Sequence, residues 1–338
     1  MRPVGWLFAA IAAGGCGLAH AQAQAQAQVA ARADLATFDY RLQARALAPG
    51  VWVVEGDNDD FTPRNGCNII NTGFIATGAG VLVVNTGPNR RYGEQLRALI
   101  ARTTREPVVR VLHLNLHPDY FLGNQGFIDV PRIATAATRA GIAREAAAYE
   151  SNLYRLCGDW MKGTTTVAPD GTLELPAGSD GAGASASGRF EIGTRPFEWH
   201  VLAGHTASDL VLVDRTSGVA FVGGLIFHRR VPTTPHARVD AWLASLARLE
   251  RMNLRTVVPS HGPVHEGTAG LLETRRFLQW LDTAFTRHAG QGLEMNEVLR
   301  APVPDEFRGW AAFASEYVRN VAHLYPTYEQ KALGAPRR

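Results

Sequence analysis

The feature that most constrains this chain is a loop, His113-Leu114-Asn115-Leu116-His117-Pro118-Asp119-Tyr120, followed closely by Gly123-Asn124. It is delivered by an apolar, strand-like run, Val108 to Leu114. Two further signals, Gly204-His205-Thr206 and Ser260-His261-Gly262, also follow strand-like runs. Imidazoles and a carboxylate at the ends of successive strands are the donor types a zinc site uses. Such loops gather at one edge of a layered fold, so the three signals are expected to meet there.

Taken together, these residues resemble the metallo-β-lactamase-fold superfamily, whose loop reads His-x-His-x-Asp-His followed by Gly. Asn115 stands in the first His slot, His117 and Asp119 match, and Tyr120 occupies the last His slot. His205 and His261 match the later ligands, and Gly224 in Phe221-Val222-Gly223-Gly224 stands where the bridging Asp belongs. Asn85 in Val84-Asn85-Thr86-Gly87 replaces the Asp that orients the loop in the family. Within the superfamily the chain is most similar to the quinoprotein relay system zinc metallohydrolases. That similarity is carried by Asn71-Thr72-Gly73-Phe74, Leu122-Gly123-Asn124-Gln125, Val231-Pro232-Thr233-Thr234-Pro235-His236 and Val321-Ala322-His323-Leu324-Tyr325-Pro326. The resemblance implies an α/β fold, a four-layer αββα sandwich of metallo-β-lactamase type. It also implies a link to a periplasmic quinoprotein or cytochrome system.

The N-terminus reads as an export signal, with Arg2, an apolar run from Gly5 to Leu18 and the small-x-small pattern Ala19-His20-Ala21. The run is shorter than the ~20 residues a membrane-spanning helix needs. Residues 1–21 are therefore expected to be a signal peptide and 22–36 a low-complexity Ala/Gln linker. Residues 37–300 form the metallo-β-lactamase-like domain, with 301–338 a helical extension packed on it. A periplasmic protein without a transmembrane segment follows. Cys16 leaves with the signal, so Cys67 and Cys157 sit in an oxidising space, either paired or as separate buried residues. A net charge of +3, with no Arg/Lys cluster interleaved with aromatics, gives no nucleic-acid surface.

Periodicity supplies the elements. Val51 to Val54 reads as a strand, and Asn68 to Ala76 with Val81 to Val84 reads as a hairpin. Helices are predicted over 90–102, 136–161, 240–251, 271–288 and 313–323. A Gly/Ser/Ala-rich stretch from Ala177 to Gly188 reads as a surface excursion between strands.

In the full family site one zinc takes three His, and the second takes Asp, His and the bridging Asp. This chain supplies neither set, so the resemblance implies zinc as one ion or none. Candidate metal ligands are His117, Asp119, His205, His261 and Asn115, with Asp119 the candidate catalytic group. One metal drawing on His117, His205, His261 and Asp119 is one rescue, and a weak Asn115 or Tyr120 ligand is another. His113 is either a displaced ligand or a packing residue. His228 and Arg229, near His236, are candidate substrate contacts or else loop residues exposed to solvent. Two functions follow: a metal-dependent hydrolase of a small ester, thioester or amide, or a catalytically inactive accessory or binding protein of the same system.

Overall fold

The computed structural model describes residues 38–176 and 185–334. The expected leader and Ala/Gln linker lie outside the described residues, as do 177–184 of the Gly/Ser/Ala-rich stretch. The chain divides into Met1–Asp39 and Tyr40–Arg338, and the second unit is described below.

Two sheets form the centre. The first runs in the order β1 (Arg45–Ala48), β2 (Val51–Val54), β3 (Thr72–Ala76), β4 (Val81–Val84), β5 (Val108–Leu112), β6 (Arg132–Ala134), β7 (Gly171–Thr172). It is antiparallel up to β4 and parallel beyond it. The second contains β8 (Ala186–Ile192), β9 (Arg195–Leu202), β10 (Asp209–Asp214), β11 (Val219–Phe221), β12 (Thr256–Val258) and β13 (His265–Glu266), paired in that order. Only its β11–β12 pair is parallel.

The helices are α1 (Arg90–Thr103), α2 (Pro118–Phe121), α3 (Ala136–Cys157), α4 (Val239–Arg251), α5 (Ala269–Gly290), α6 (Met295–Val298), α7 (Asp305–Arg308) and α8 (Phe313–Gly334). Side-chain alternation explains the layering. β4 is buried on both faces: Leu82 and Val84 enter the core between the sheets, while Val81 and Val83 pack with Leu96 and Ile100 of α1. β10 does the same, with Leu210 and Leu212 inside and Val211 and Val213 packed with Trp242 of α4 and Phe277 of α5. The result is a four-layer αββα sandwich.

Several boundaries differ from the sequence expectation for physical reasons. β3 begins only at Thr72, because the Asn71 backbone N–H bonds the Ser260 carbonyl at 2.8 Å, and its side-chain Nδ2 donates to the Pro259 and Gly262 carbonyls at 2.8 and 2.7 Å. β5 ends at Leu112, so His113 and Leu114 of the strand-like run already lie on the loop. β8 begins at Ala186, inside the stretch read as an excursion. α8 continues through Pro326, which lacks the donor for Ala322, because Tyr325 and Tyr328 pack edge-on against Phe285 of α5. Cys67 and Cys157 are joined as a disulfide. Among the described residues no helix is long and apolar enough to cross a membrane.

Candidate active site

The motif loop is held from beneath. A Cβ on Gly123 would lie 2.0 Å from the Thr86 carbonyl, and one on Gly93 of α1 would lie 1.9 Å from the Gly123 carbonyl. Two glycines therefore let the loop sit directly on the helix. Asn85, at φ +60°, accepts the Leu114 N–H at 3.0 Å through Oδ1, bracing the loop's entry. Asn tolerates this left-handed conformation better than most residues. His113 is buried, and its Nδ1 bonds the Tyr120 carbonyl at 3.0 Å, so it packs under the loop.

The loop and His261 line a cleft of about 310 Å³, together with Tyr149 of α3 and Glu316, Arg319 and His323 of α8. His117, Asp119 and His261 line it directly. The His117 Nε2 faces His236 Nδ1 at 3.1 Å, and burial, then the neighbouring His205 and His236, hold its pKa well below the usual imidazole value. His205 is turned away. Its Nδ1 bonds Asp209 Oδ1 at 3.1 Å, its Nε2 faces Thr233 Oγ1 at 3.3 Å, and Asp209 also accepts the Thr206 N–H at 2.7 Å.

The altered positions are committed elsewhere. Asn115 Oδ1, the atom that would ligate, accepts the His117 N–H at 2.9 Å, and its Nδ2 points to His205 and Asp209. The Tyr120 hydroxyl donates to Ser260 Oγ. A Cβ on Gly224 would lie 2.0 Å from His205 Nδ1, so the imidazole fills the space a bridging carboxylate would need.

Asp119 and His261 face each other in the cleft. His261 Nδ1 lies 2.9 Å from the Ile69 carbonyl, which only accepts, so Nδ1 carries the proton and Nε2 presents a lone pair. Burial, then the Arg230 charge, keeps this ring neutral. Its Nε2 lies 3.6 Å from Asp119 Oδ2, a buried oxygen with no hydrogen-bond partner. Burial pushes the Asp119 carboxyl up to about 7, against the pull of its own backbone N–H and of Arg230. The Tyr149 hydroxyl also lacks a partner, and burial raises its pKa far above the usual phenol value.

His228 and Arg229 are not brought to the cleft. His228 Nδ1 and the Arg229 N–H both bond Glu273 at 2.8 Å, beside α5. The neighbouring Arg230 is the buried one, paired with Glu316 at 3.4 Å.

A zinc site needs about three protein ligands converging on one point. Asn115 and Tyr120 are spent, His205 is anchored to Asp209, and His117 faces His236. Among the described residues no three His, Cys, Asp or Glu side chains are grouped to hold a metal ion. The donor set does not fit zinc.

Sequence reading missed Asp209, Tyr149, His236 as the partner of His117, Glu316 and the clasp made by Asn71. Asp209 was the findable one, since it stands four residues after His205 in Gly-His-Thr-Ala-Ser-Asp. Tyr149 and Glu316 come from helices with no local motif, while Asn71 and His236 stand in stretches that carry the resemblance without showing what they bond.

Known proteins support the architecture. A metallo-β-lactamase from Pontibacter korlensis is 21% identical with a TM-score of 0.55, covering 70% of this chain and 99% of its own. One from Hirschia baltica is 18% identical with a TM-score of 0.53, covering 70% and 97%. One from Erythrobacter litoralis is 18% identical with a TM-score of 0.55, covering 72% and 98%. No curated protein matches the sequence. The family model of the metallo-beta-lactamase superfamily matches residues 65–261, more than half of the sequence. On that match the chain belongs to the metallo-beta-lactamase superfamily.

Proposed function

We propose that this protein hydrolyses a small ester, thioester or amide, using Asp119 as the base that activates water. The observation that carries the reading is the Asp119–His261 pair, two buried acceptors facing each other at 3.6 Å in the cleft. A water set between them donates one hydrogen to each and turns its lone pairs towards the cleft. Asp119 takes a proton as the oxygen attacks the carbonyl carbon. The Tyr149 O–H donates to the oxyanion, and collapse expels the alcohol, thiol or amine, which takes the proton back from Asp119. A positioned base contributes roughly 10²–10⁴-fold in rate. No step is assigned to a metal, because the donors do not converge.

The test is turnover of p-nitrophenyl acetate, a thioester and an anilide by purified protein. Asp119→Asn should lose at least 100-fold in kcat, and Tyr149→Phe about 10-fold or more with KM little changed. Absence of turnover of all three would favour a non-catalytic binding role.

We further propose export to the periplasm and association with a quinoprotein or cytochrome system. Export is supported by the N-terminal leader pattern and by the Cys67–Cys157 disulfide, since disulfides persist in oxidising compartments. The association is supported by the sequence resemblance alone. Mass spectrometry finding the mature N-terminus near Gln22 checks the first, and intact Met1 contradicts it. Co-purification with a periplasmic quinoprotein or cytochrome checks the second.

A further inference from the structure

We propose that the Cys67–Cys157 disulfide is a positioning element that fixes the tautomer of His261, so that the Asp119–His261 pair is completed only when the two cysteines are oxidised. The segment from Asp57 to Ile69 crosses one wall of the cleft as a strap. The disulfide ties it to Cys157, the last residue of α3, with the Cα atoms 5.9 Å apart. Trp160 donates to the Pro63 carbonyl at 2.9 Å, and its indole lies against Gly66. At the other end Arg319 of α8 grips both Asp60 oxygens at 2.9 and 2.8 Å, and Arg230 donates to the Asp59 carbonyl at 3.1 Å.

Two residues beyond Cys67, the Ile69 carbonyl accepts the His261 Nδ1 proton. Cys67 sits at φ +64°, a conformation uncommon for a residue with a side chain and kept only where its surroundings impose it. Here the bond to α3 acts together with the Cys67 N–H, which bonds Asn65 Oδ1 at 3.0 Å and the Thr62 carbonyl at 3.3 Å. Ile69 N–H bonds the Cys67 carbonyl at 3.1 Å, so the turn at Cys67 sets where the Ile69 carbonyl points.

Opening the disulfide lets Cys67 return to ordinary backbone angles and withdraws the Ile69 carbonyl from His261. The proton then moves to Nε2, where the Asp119 carboxylate is a better acceptor than a carbonyl. An Nε2–H donating to Asp119 occupies the base and removes the second acceptor. Both cysteines are buried, so this bond is made as the chain folds and is not a surface switch.

The proposal builds on the Asp119–His261 reading, but its readout is the tautomer itself and is independent of turnover. Long-range ¹H–¹⁵N correlation spectra distinguish Nδ1–H from Nε2–H for each histidine. In oxidised protein His261 should show Nδ1–H, and in Cys67→Ala/Cys157→Ala it should become mainly Nε2–H. His113 and His205, fixed by the Tyr120 carbonyl and Asp209, should keep Nδ1–H and report an intact fold. His261 unchanged in a folded variant overturns the proposal. Should the variant fail to fold, wild-type protein reduced in native buffer, with free thiols counted by mass, gives the same spectrum. His261 unchanged with both thiols free overturns it there. Collapse of all three signatures together in both samples would make the disulfide a general staple and overturn it equally.

Discussion

The His261 Nε2 and the Asp119 Oδ2 face each other across 3.6 Å, and neither has a hydrogen to give while His261 keeps its proton on Ile69 and Asp119 is ionised. Such a pair is unfavourable for folding and useful for chemistry.

Asp119→Asn should stabilise the protein at pH 8. The unfolded carboxyl ionises near the ordinary value of about 3.9, whereas burial raises the folded one to about 7. Between those values the folded state holds the extra proton, so wild-type stability falls as pH rises through that window. The variant has no such term. It should match wild type near pH 4 and exceed it at pH 8 by on the order of 4 kcal/mol in denaturant titrations. A variant less stable than wild type at pH 8 would show that the carboxylate is satisfied in the native state.

Rebuilding the family site by Asn115→His, Tyr120→His and Gly224→Asp should not produce a two-metal centre. The obstacle at Gly224 is steric rather than conformational, because the His205 ring already fills the space beyond its Cα. Gly224→Asp alone should destabilise by roughly 1–3 kcal/mol through overpacking. Two tightly held zinc equivalents in the folded triple variant would show that His205 swings away easily.

Added zinc should leave the melting temperature of the wild-type protein essentially unchanged, and protein purified without added metal should hold well under one equivalent. A metal that binds the folded state alone raises stability by mass action, about 2.7 kcal/mol at a hundred times its Kd. A clear zinc-dependent rise, lost in His117→Ala and kept on replacing His288 of α5, which does not line the cleft, by Ala, would mean the cleft rearranges to gather its donors.

Removing the disulfide should cost about 4 kcal/mol, since it closes a loop with a sequence separation of 90. Denaturant midpoints of the oxidised protein and of Cys67→Ala/Cys157→Ala measure this directly. A loss below about 1 kcal/mol would mean that the strap's ties to Trp160 and Arg319 hold the denatured chain as well.

Much of the fold was legible because β4 and the Leu210–Val213 stretch of β10 are uninterrupted apolar runs, β5 is apolar but for Arg110, and α1 carries a single apolar stripe. The positions of His117, Asp119 and His261 were legible too, since each follows a strand-like run that ends at the same edge. What could not be read was orientation. Nothing in Gly-His-Thr says that His205 turns onto Asp209, and nothing in His113-Leu-Asn115 says that the amide bonds the next turn of its own backbone. The disulfide was undecidable because its geometry depends on how the Asp57 to Ile69 strap meets the end of α3. Glu316 and Tyr149 reach the cleft from helices whose sequence shows only burial and amphipathicity.

Whether Asp119 activates water without a bound metal is decided by the pH–rate profile of chelator-treated protein on p-nitrophenyl acetate. The rate should rise through about pH 7 as Asp119 ionises and level off above it. Asp119→Asn should flatten the profile to background. Turnover abolished by the chelator and restored by zinc, or a profile indifferent to Asp119, would contradict it.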